Sequence, residues 1–383
     1  MQILFERGII TQVHYIPIFF HPFYKKNYKR DKFEISKPIL VGESSDASLI
    51  RTIDILRVEG INPRVTIEVI ANESGVLSGM TEASQLLSRI LPEAHREGVW
   101  ALNDGDVFEK NELILQIRST FATVAPFITA LTGIISSSSG WATGARKCVD
   151  AANGIPIVNF GTRNAHPNIV GNMDYSSVQG GAKGCSSLIG SRLTDLTPAG
   201  SMDENLVLIL GDVVEAAKSL IENGEENIPK VVSIGILGDE SEEAKKVVEN
   251  FPSIRGLKIE TPSERGGANH HLLREIRERL DQLGFSNTQL SISGDFTPNN
   301  ISDIIEIESE WLADVSKSRN AITNIEEDDD VQDRTLNRRL VQAIGVNRFI
   351  ACHSSIDIGA YLKEIDGNPV SKRGKIPGVS ANG

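Results

Sequence analysis

From about residue 126 onward, short apolar runs alternate with stretches whose apolar residues recur at helical spacing. The runs Ile155–Phe160, Leu206–Leu210, Val231–Leu237, Leu257–Thr261 and Gln289–Ser293 have strand length and β-branched character. Between them the helices are punctuated. Asp239 and Glu242 form a capping box that opens a helix through Val248. Leu272, Leu273, Ile276, Leu280 and Leu283 share one helical face, which stops at Gly284. Strands alternating with helices predict a parallel sheet or barrel. Upstream, from about 38 to 120, Val65–Ile70 alternates as a strand and Met80–Leu91 reads as a helix, with a turn at Asn103-Asp104-Gly105-Asp106. This is the pattern of a smaller α/β unit. Residues 306–346 break the rhythm, and Glu326–Asp330 is a wholly acidic block, expected to be a solvated insert.

Residues 1–37 differ from the rest. Aromatic residues crowd the stretch, Pro17 and Pro22 interrupt it, and Lys25-Lys26-Asn27-Tyr28-Lys29-Arg30 follows as a basic run. The expected organisation is a leader over 1–37, an α/β domain over 38–125 that the chain's end (355–383) rejoins, and a barrel domain over 126–354 holding the insert 306–346.

Composition narrows the class. The 383 residues are 40% apolar and carry a net charge of −12, which disfavours binding to a phosphate backbone. No apolar run reaches the ~18 residues of a membrane helix, and no secretory signal is visible. Cys148, Cys185 and Cys352 are scattered and odd in number, supporting neither a disulfide framework nor a zinc site. The expectation is a cytoplasmic protein with no nucleic-acid or membrane partner and no resident metal ligand set.

The candidate chemistry lies where strands end. Phe160-Gly161-Thr162-Arg163-Asn164-Ala165-His166-Pro167 follows an apolar strand, and Arg163 there is placed to fork onto a carboxylate or phosphate. His166, before a proline, reads more readily as a turn residue than as a base. Gly180 and Gly181 open a glycine-rich stretch through which backbone N–H groups can approach an anion. Thr261-Pro262-Ser263-Glu264-Arg265 and Ser293-Gly294 repeat the strand-then-turn arrangement. In α/β folds ligands gather at such strand C-termini.

In order along the chain, Asp46–Thr52, Thr143–Lys147, Phe160–Pro167, Gly180-Gly181, Gly200-Ser201-Met202, Leu210-Gly211-Asp212, Thr261–Ser263, Arg274–Arg277, Ser293-Gly294 and Asp366–Pro369 resemble blocks of the nicotinate phosphoribosyltransferase family, the type II phosphoribosyltransferases. The resemblance implies an irregular α/β barrel with a smaller N-terminal α/β domain, and a homodimer. It also implies transfer of phosphoribose from phosphoribosyl pyrophosphate to nicotinate with Mg2+, giving nicotinate mononucleotide for NAD biosynthesis. Carried across by position, Arg163, His166, Thr143, Gly180, Gly181, Arg265, Ser293 and Gly294 would bind substrate, and Glu204 and Glu260 would fall at catalytic positions. Several positions depart from the family pattern. Glu204 stands where the family has its phosphorylated histidine, and a carboxylate cannot replace a neutral imidazole as phosphoryl acceptor, so coupled ATP hydrolysis loses its support. Ser48 replaces a ring-stacking tyrosine, Ile128 a glutamate and Asn164 a second arginine, while Ala351 and Cys352 replace glycines of a phosphate loop. A homologue that keeps the fold for binding or assembly stays open beside the transferase. Residues 1–30 are similar to a C-terminal segment of pyridoxal phosphate-dependent sugar aminotransferases, and a role in nucleotide-sugar metabolism rests on that stretch alone.

Overall fold

The computed structural model describes Phe33, residues 35–322 and residues 339–372. Its strands are β1 (Arg64–Ala71), β2 (Gly75–Val76), β3 (Val99–Ala101), β4 (Val107–Phe108), β5 (Leu113–Thr120), β6 (Ile157–Asn159), β7 (Gly184–Cys185), β8 (Val231–Ile234), β9 (Gly256–Ile259), β10 (Gln289–Gly294), β11 (Ala343–Val346), β12 (Ile358–Ile365) and β13 (Asn368–Pro369). The helices that position the site are α1 (Met80–Ile90), α2 (Ile128–Ala151), α3 (Val170–Gln179), α4 (Leu188–Thr194), α5 (Glu204–Leu210), α6 (Val213–Asn223), α7 (Glu240–Asn250), α8 (His270–Gln282), α9 (Pro298–Ile322) and α10 (Arg348–Ala351).

The N-terminal domain is an antiparallel sheet in the order β13-β12-β1-β5-β3. Val65, Ile67 and Val69 of β1 share one core with Leu86 and Leu87 of α1 and with Leu131 and Ile135 of α2. The alternate residues Thr66 and Glu68 are buried too, under polar neighbours: Thr66 Oγ1 donates to Glu364, and Glu68 takes Lys363 and Gln116. The period-two chemistry of β1 therefore survives although both faces are covered.

The second domain is a parallel sheet in the order β7-β6-β11-β10-β9-β8. Its outward residues Val232, Ile234, Leu257, Ile259, Leu290, Ile292 and Ile344 pack against Ala217 and Leu220 of α6, Val247 of α7, Ile276 of α8 and Ile301 of α9. The inward residues are polar or small, with Ser233, Lys258 and Ser291 side by side in register. Between the edge strands β7 and β8 runs an irregular segment. Ala199 N–H donates to Cys185 O of β7, while the Val231 N–H and the Ser233 hydroxyl of β8 donate to Ser201 Oγ and Met202 O. Residues 199–202 thus close an irregular α/β barrel where a seventh strand would stand.

That closure corrects one expected strand. Residues 206–210 are helical, within α5, because Asp203 caps the helix through the Asn205 N–H and Gly211 ends it at φ +75°. The expected insert over 306–346 is also corrected. Residues 306–322 continue α9, with Trp311 buried in the barrel core, and β11 is an inner strand between β6 and β10. The acidic block 326–330 lies outside the described residues, as do residues 1–32. On the leader side of the expected boundary, Phe33 packs edge-on against Tyr175 and Ile35 joins the N-terminal core.

Among the described residues, Phe121–Ala151 has a mean hydropathy of 1.4 over its most apolar window and is long and apolar enough to cross a membrane by length and composition, although Thr129, Thr132 and Ser136–Ser139 interrupt the apolar run. Its α2 portion serves two cores, placing Leu131 and Ile135 in the N-terminal one and Ala145 and Cys148 in the barrel.

Candidate functional site

The C-terminal ends of the barrel strands bring one charged cluster together. Arg163, in the turn Gly161–Asn164 beyond β6, reaches Asp203 at 3.2 Å, and both side chains are largely exposed. Lys258, inward on β9, pairs with Glu260 in a mostly buried contact, and its ammonium lies 5.0 Å from the centre of the Phe160 ring. The Asn205 backbone N–H holds the Asp203 carboxyl below the usual carboxylate range, and the Arg163 and Lys258 charges add to that. Glu260 Oε2 is buried without a hydrogen-bond partner, an acceptor left open inside the cluster.

Ser293 and Gly294 end β10 in the same mouth, and a side chain at Gly345 would collide with Phe160 and with Ser293 Cβ. Phe160, Lys258, Glu260 and Ser293 therefore gather at one end of the barrel strands, with Arg163 and Asp203 beside them. The strand-end criterion marks Phe160 only as the residue opening the Arg163 turn, and it does not mark Lys258. The available signal was alternation: Leu257-Lys258-Ile259-Glu260 sends every second residue inward, and both inward residues are charged.

The other expected site residues sort by position. Glu204 is exposed at the start of α5, beside Asp203. His166 is exposed, and its Nδ1 accepts the Asn168 N–H at 3.2 Å, a turn contact. Arg265 follows β9 but is committed to buried Glu240 at 3.1 Å and to the Gly238 carbonyl. Thr143 lies away from the mouth: buried on α2, it accepts the Val76 N–H at 3.0 Å and joins the two domains. Gly180 and Gly181 precede β7, at the N-terminal end of the barrel strands, and so face away from the cluster. Their glycine character has local causes: a Cβ on Gly180 would run into the Ala142 carbonyl oxygen, and Gly181 sits at φ +106°.

Two turns that could cradle an anion are filled from within. After β8, the Gly235 and Gly238 N–H groups both donate to Glu243 at 2.8 Å. After β11 the chain enters α10, where Ala351 packs on Gly161 so closely that a Cβ there would approach to 2.7 Å. Among the described residues no three His, Cys, Asp or Glu side chains converge as a metal cage.

Residues 46–139 match the family described as "Quinolinate phosphoribosyl transferase, N-terminal domain", and residues 141–317 match its C-terminal domain. Nicotinate phosphoribosyltransferase pncB2 of Mycobacterium tuberculosis is 25% identical over 233 residues, covering 60% of this chain and 49% of its own length. The chain thus spans about half the length of the curated relatives it matches. The crystal structure of nicotinate-nucleotide pyrophosphorylase from Pyrococcus furiosus superposes with a TM-score of 0.75 at 28% identity, covering 92% of this chain and 82% of that one. Human nicotinic acid phosphoribosyltransferase shares the fold at a TM-score of 0.57 and 12% identity, over 87% of this chain and 77% of that one.

Proposed function

Since the chain belongs to the quinolinate phosphoribosyl transferase family, we propose that it transfers a phosphoribosyl group to a pyridine carboxylate, making the mononucleotide that leads to NAD. The observation that carries this reading is the cluster at the barrel mouth, an aromatic face flanked by a cation, an open carboxylate oxygen and a rim arginine.

In the reaction the pyridine nitrogen attacks C1′ of phosphoribosyl pyrophosphate. The C1′–O bond breaks, and pyrophosphate leaves with the electron pair. No side chain needs to gain or lose a proton, so the protein's work is positioning and charge stabilisation. Phe160 offers a face for the flat ring, and Arg163 is the fork for its carboxylate once it exchanges Asp203 for substrate. Lys258 carries positive charge at the same end of the barrel. Arg163 is one fork for one carboxylate, and the curated relatives act on nicotinate by name, so nicotinate is the proposed acceptor. Magnesium fits the residues present, because that ion takes one or two carboxylates plus substrate phosphates rather than a protein cage. Glu260 and Asp203 would hold it, and it would neutralise charge on the departing pyrophosphate. Coupled ATP hydrolysis is not part of the proposal, because Glu204 supplies no imidazole.

The test mixes purified full-length chain with phosphoribosyl pyrophosphate, Mg2+ and either nicotinate or quinolinate, with and without ATP. Nicotinate mononucleotide formed from nicotinate without ATP is the expected result. Product from quinolinate alone would change the acceptor. No product in any arm would overturn the transferase reading in favour of a homologue kept for binding or assembly.

A further inference from the structure

Asp174 of α3 has no exposed surface and touches none of the groups assigned to substrate. Both its oxygens are used. Oδ1 accepts from Asn159 Nδ2 at 2.8 Å, and Oδ2 accepts from the Ser187 hydroxyl and, at 3.3 Å, from the Ser187 N–H. Asn159 is the last residue of β6 and is equally buried. Its Oδ1 accepts the Gly161 N–H at 3.0 Å, at the first residue of the turn that carries Arg163.

The direction of this relay is fixed by chemistry. A carboxylate offers only acceptors, so Asn159 must turn its amide NH2 toward Asp174, which leaves the amide oxygen for Gly161. An uncharged amide at 174 removes that dictation. If its oxygen stays on Asn159, its NH2 faces the Ser187 N–H; if the oxygen turns to Ser187, a donor faces a donor at Asn159 or, once Asn159 flips, at Gly161, and an unpaired group in a dry interior is costly.

We propose that Asp174 is a positioning residue for phosphoribosyl transfer, acting through Asn159 to hold the Gly161–Asn164 turn and so place Arg163. The claim rests on the reading of the barrel mouth given above. It predicts a polarity swap. Asp174→Asn alone leaves a donor facing a donor on one side of position 174, at Ser187 or along the Asn159–Gly161 relay, and Asn159→Asp alone sets two carboxylates against each other. The double variant restores the relay. Its amide at position 174 can donate to the carboxylate at position 159, whose other oxygen accepts from Gly161.

Two readouts on the full-length chain test this. One is amide hydrogen exchange across residues 159–165 without ligand, and the other is the KM for nicotinate against kcat. Each single variant is expected to speed exchange at Gly161 and raise KM roughly tenfold, by the usual cost of one unpaired buried group, with a smaller change in kcat. The double variant is expected to recover both. Equal losses in the single and double variants, or singles with unchanged exchange and KM, would overturn the proposal. A wild-type chain without turnover would sink the transferase reading instead, and the exchange arm would then decide the positioning claim by itself.

Discussion

At the scale of single residues the barrel mouth is defined by charges that face inward. Lys258 sits on β9, whose Leu257 and Ile259 are fully buried in the core, and Glu260 follows directly after the strand. Lys258→Met keeps the aliphatic stem and removes the charge that faces Phe160 and Glu260. Turnover in kcat/KM is expected to fall roughly 100-fold, the usual loss when one preorganised charge-stabilising group is deleted, with the thermal midpoint little changed. A variant with wild-type kinetics would remove Lys258 from the reaction. Glu204 allows a second prediction: ATP leaves the rate unaltered, measured as mononucleotide formed with and without it. The Arg163 position was readable from the sequence because a charged residue just beyond an apolar strand end is conspicuous. Lys258 was not, because within a short apolar run one lysine reads as noise until the register places it in the lumen.

At the scale of elements, most of the barrel follows from alternation and capping. The strands at 157–159, 231–234, 256–259 and 289–294 all fall within or beside the apolar runs, and Asp239 caps α7 through the Ser241 and Glu242 N–H groups. Residues 206–210 misled because a short all-apolar run has no period, and only Asp203 before it and Gly211 after it mark a helix. β11 was hidden because a four-residue inner strand beside a polar stretch carries little pattern. Gly180 shows how an element can imitate a site. Gly180→Ala would drive a methyl into the backbone of α2, an overpacking change of roughly 2 kcal/mol or more. Chemical unfolding should show that loss while the KM for phosphoribosyl pyrophosphate stays constant. A selective rise in that KM would return Gly180 to the phosphate site.

At the scale of the whole molecule, the two domains meet across a polar seam. Asp104 accepts the Met80 and Thr81 N–H groups at the start of α1 and the Tyr175 hydroxyl of the barrel domain at 3.0 Å. Beside it Glu82 is buried and takes Asn172 Nδ2 at 2.5 Å. Burial pushes the Glu82 carboxyl up to about 7, against the Asn172 hydrogen bond, and Asp104 adds to the rise. The folded chain therefore holds this proton more tightly than the unfolded one. Glu82 contributes stability in full below its ordinary range, and that contribution is lost as pH rises from about 4.5 through about 7. Denaturant midpoints measured across that window should decline with pH in the wild type, and Glu82→Gln should flatten the decline. An identical slope in both would show that Glu82 is not the titrating group.

The pairing of β12 with β1 also has a consequence in time. β1 lies between β5 and β12, yet β12 follows it by about 290 residues. At roughly 5–20 residues per second of synthesis, β1 waits about 15 to 60 seconds for that partner. Through that interval the edge that carries Val65, Ile67 and Val69 is open, with unpaired N–H and C=O groups able to template pairing with another chain. A chain that stops short of residue 358 keeps this edge open permanently. Such truncations are expected to enter the insoluble fraction even though the complete barrel lies upstream of the cut.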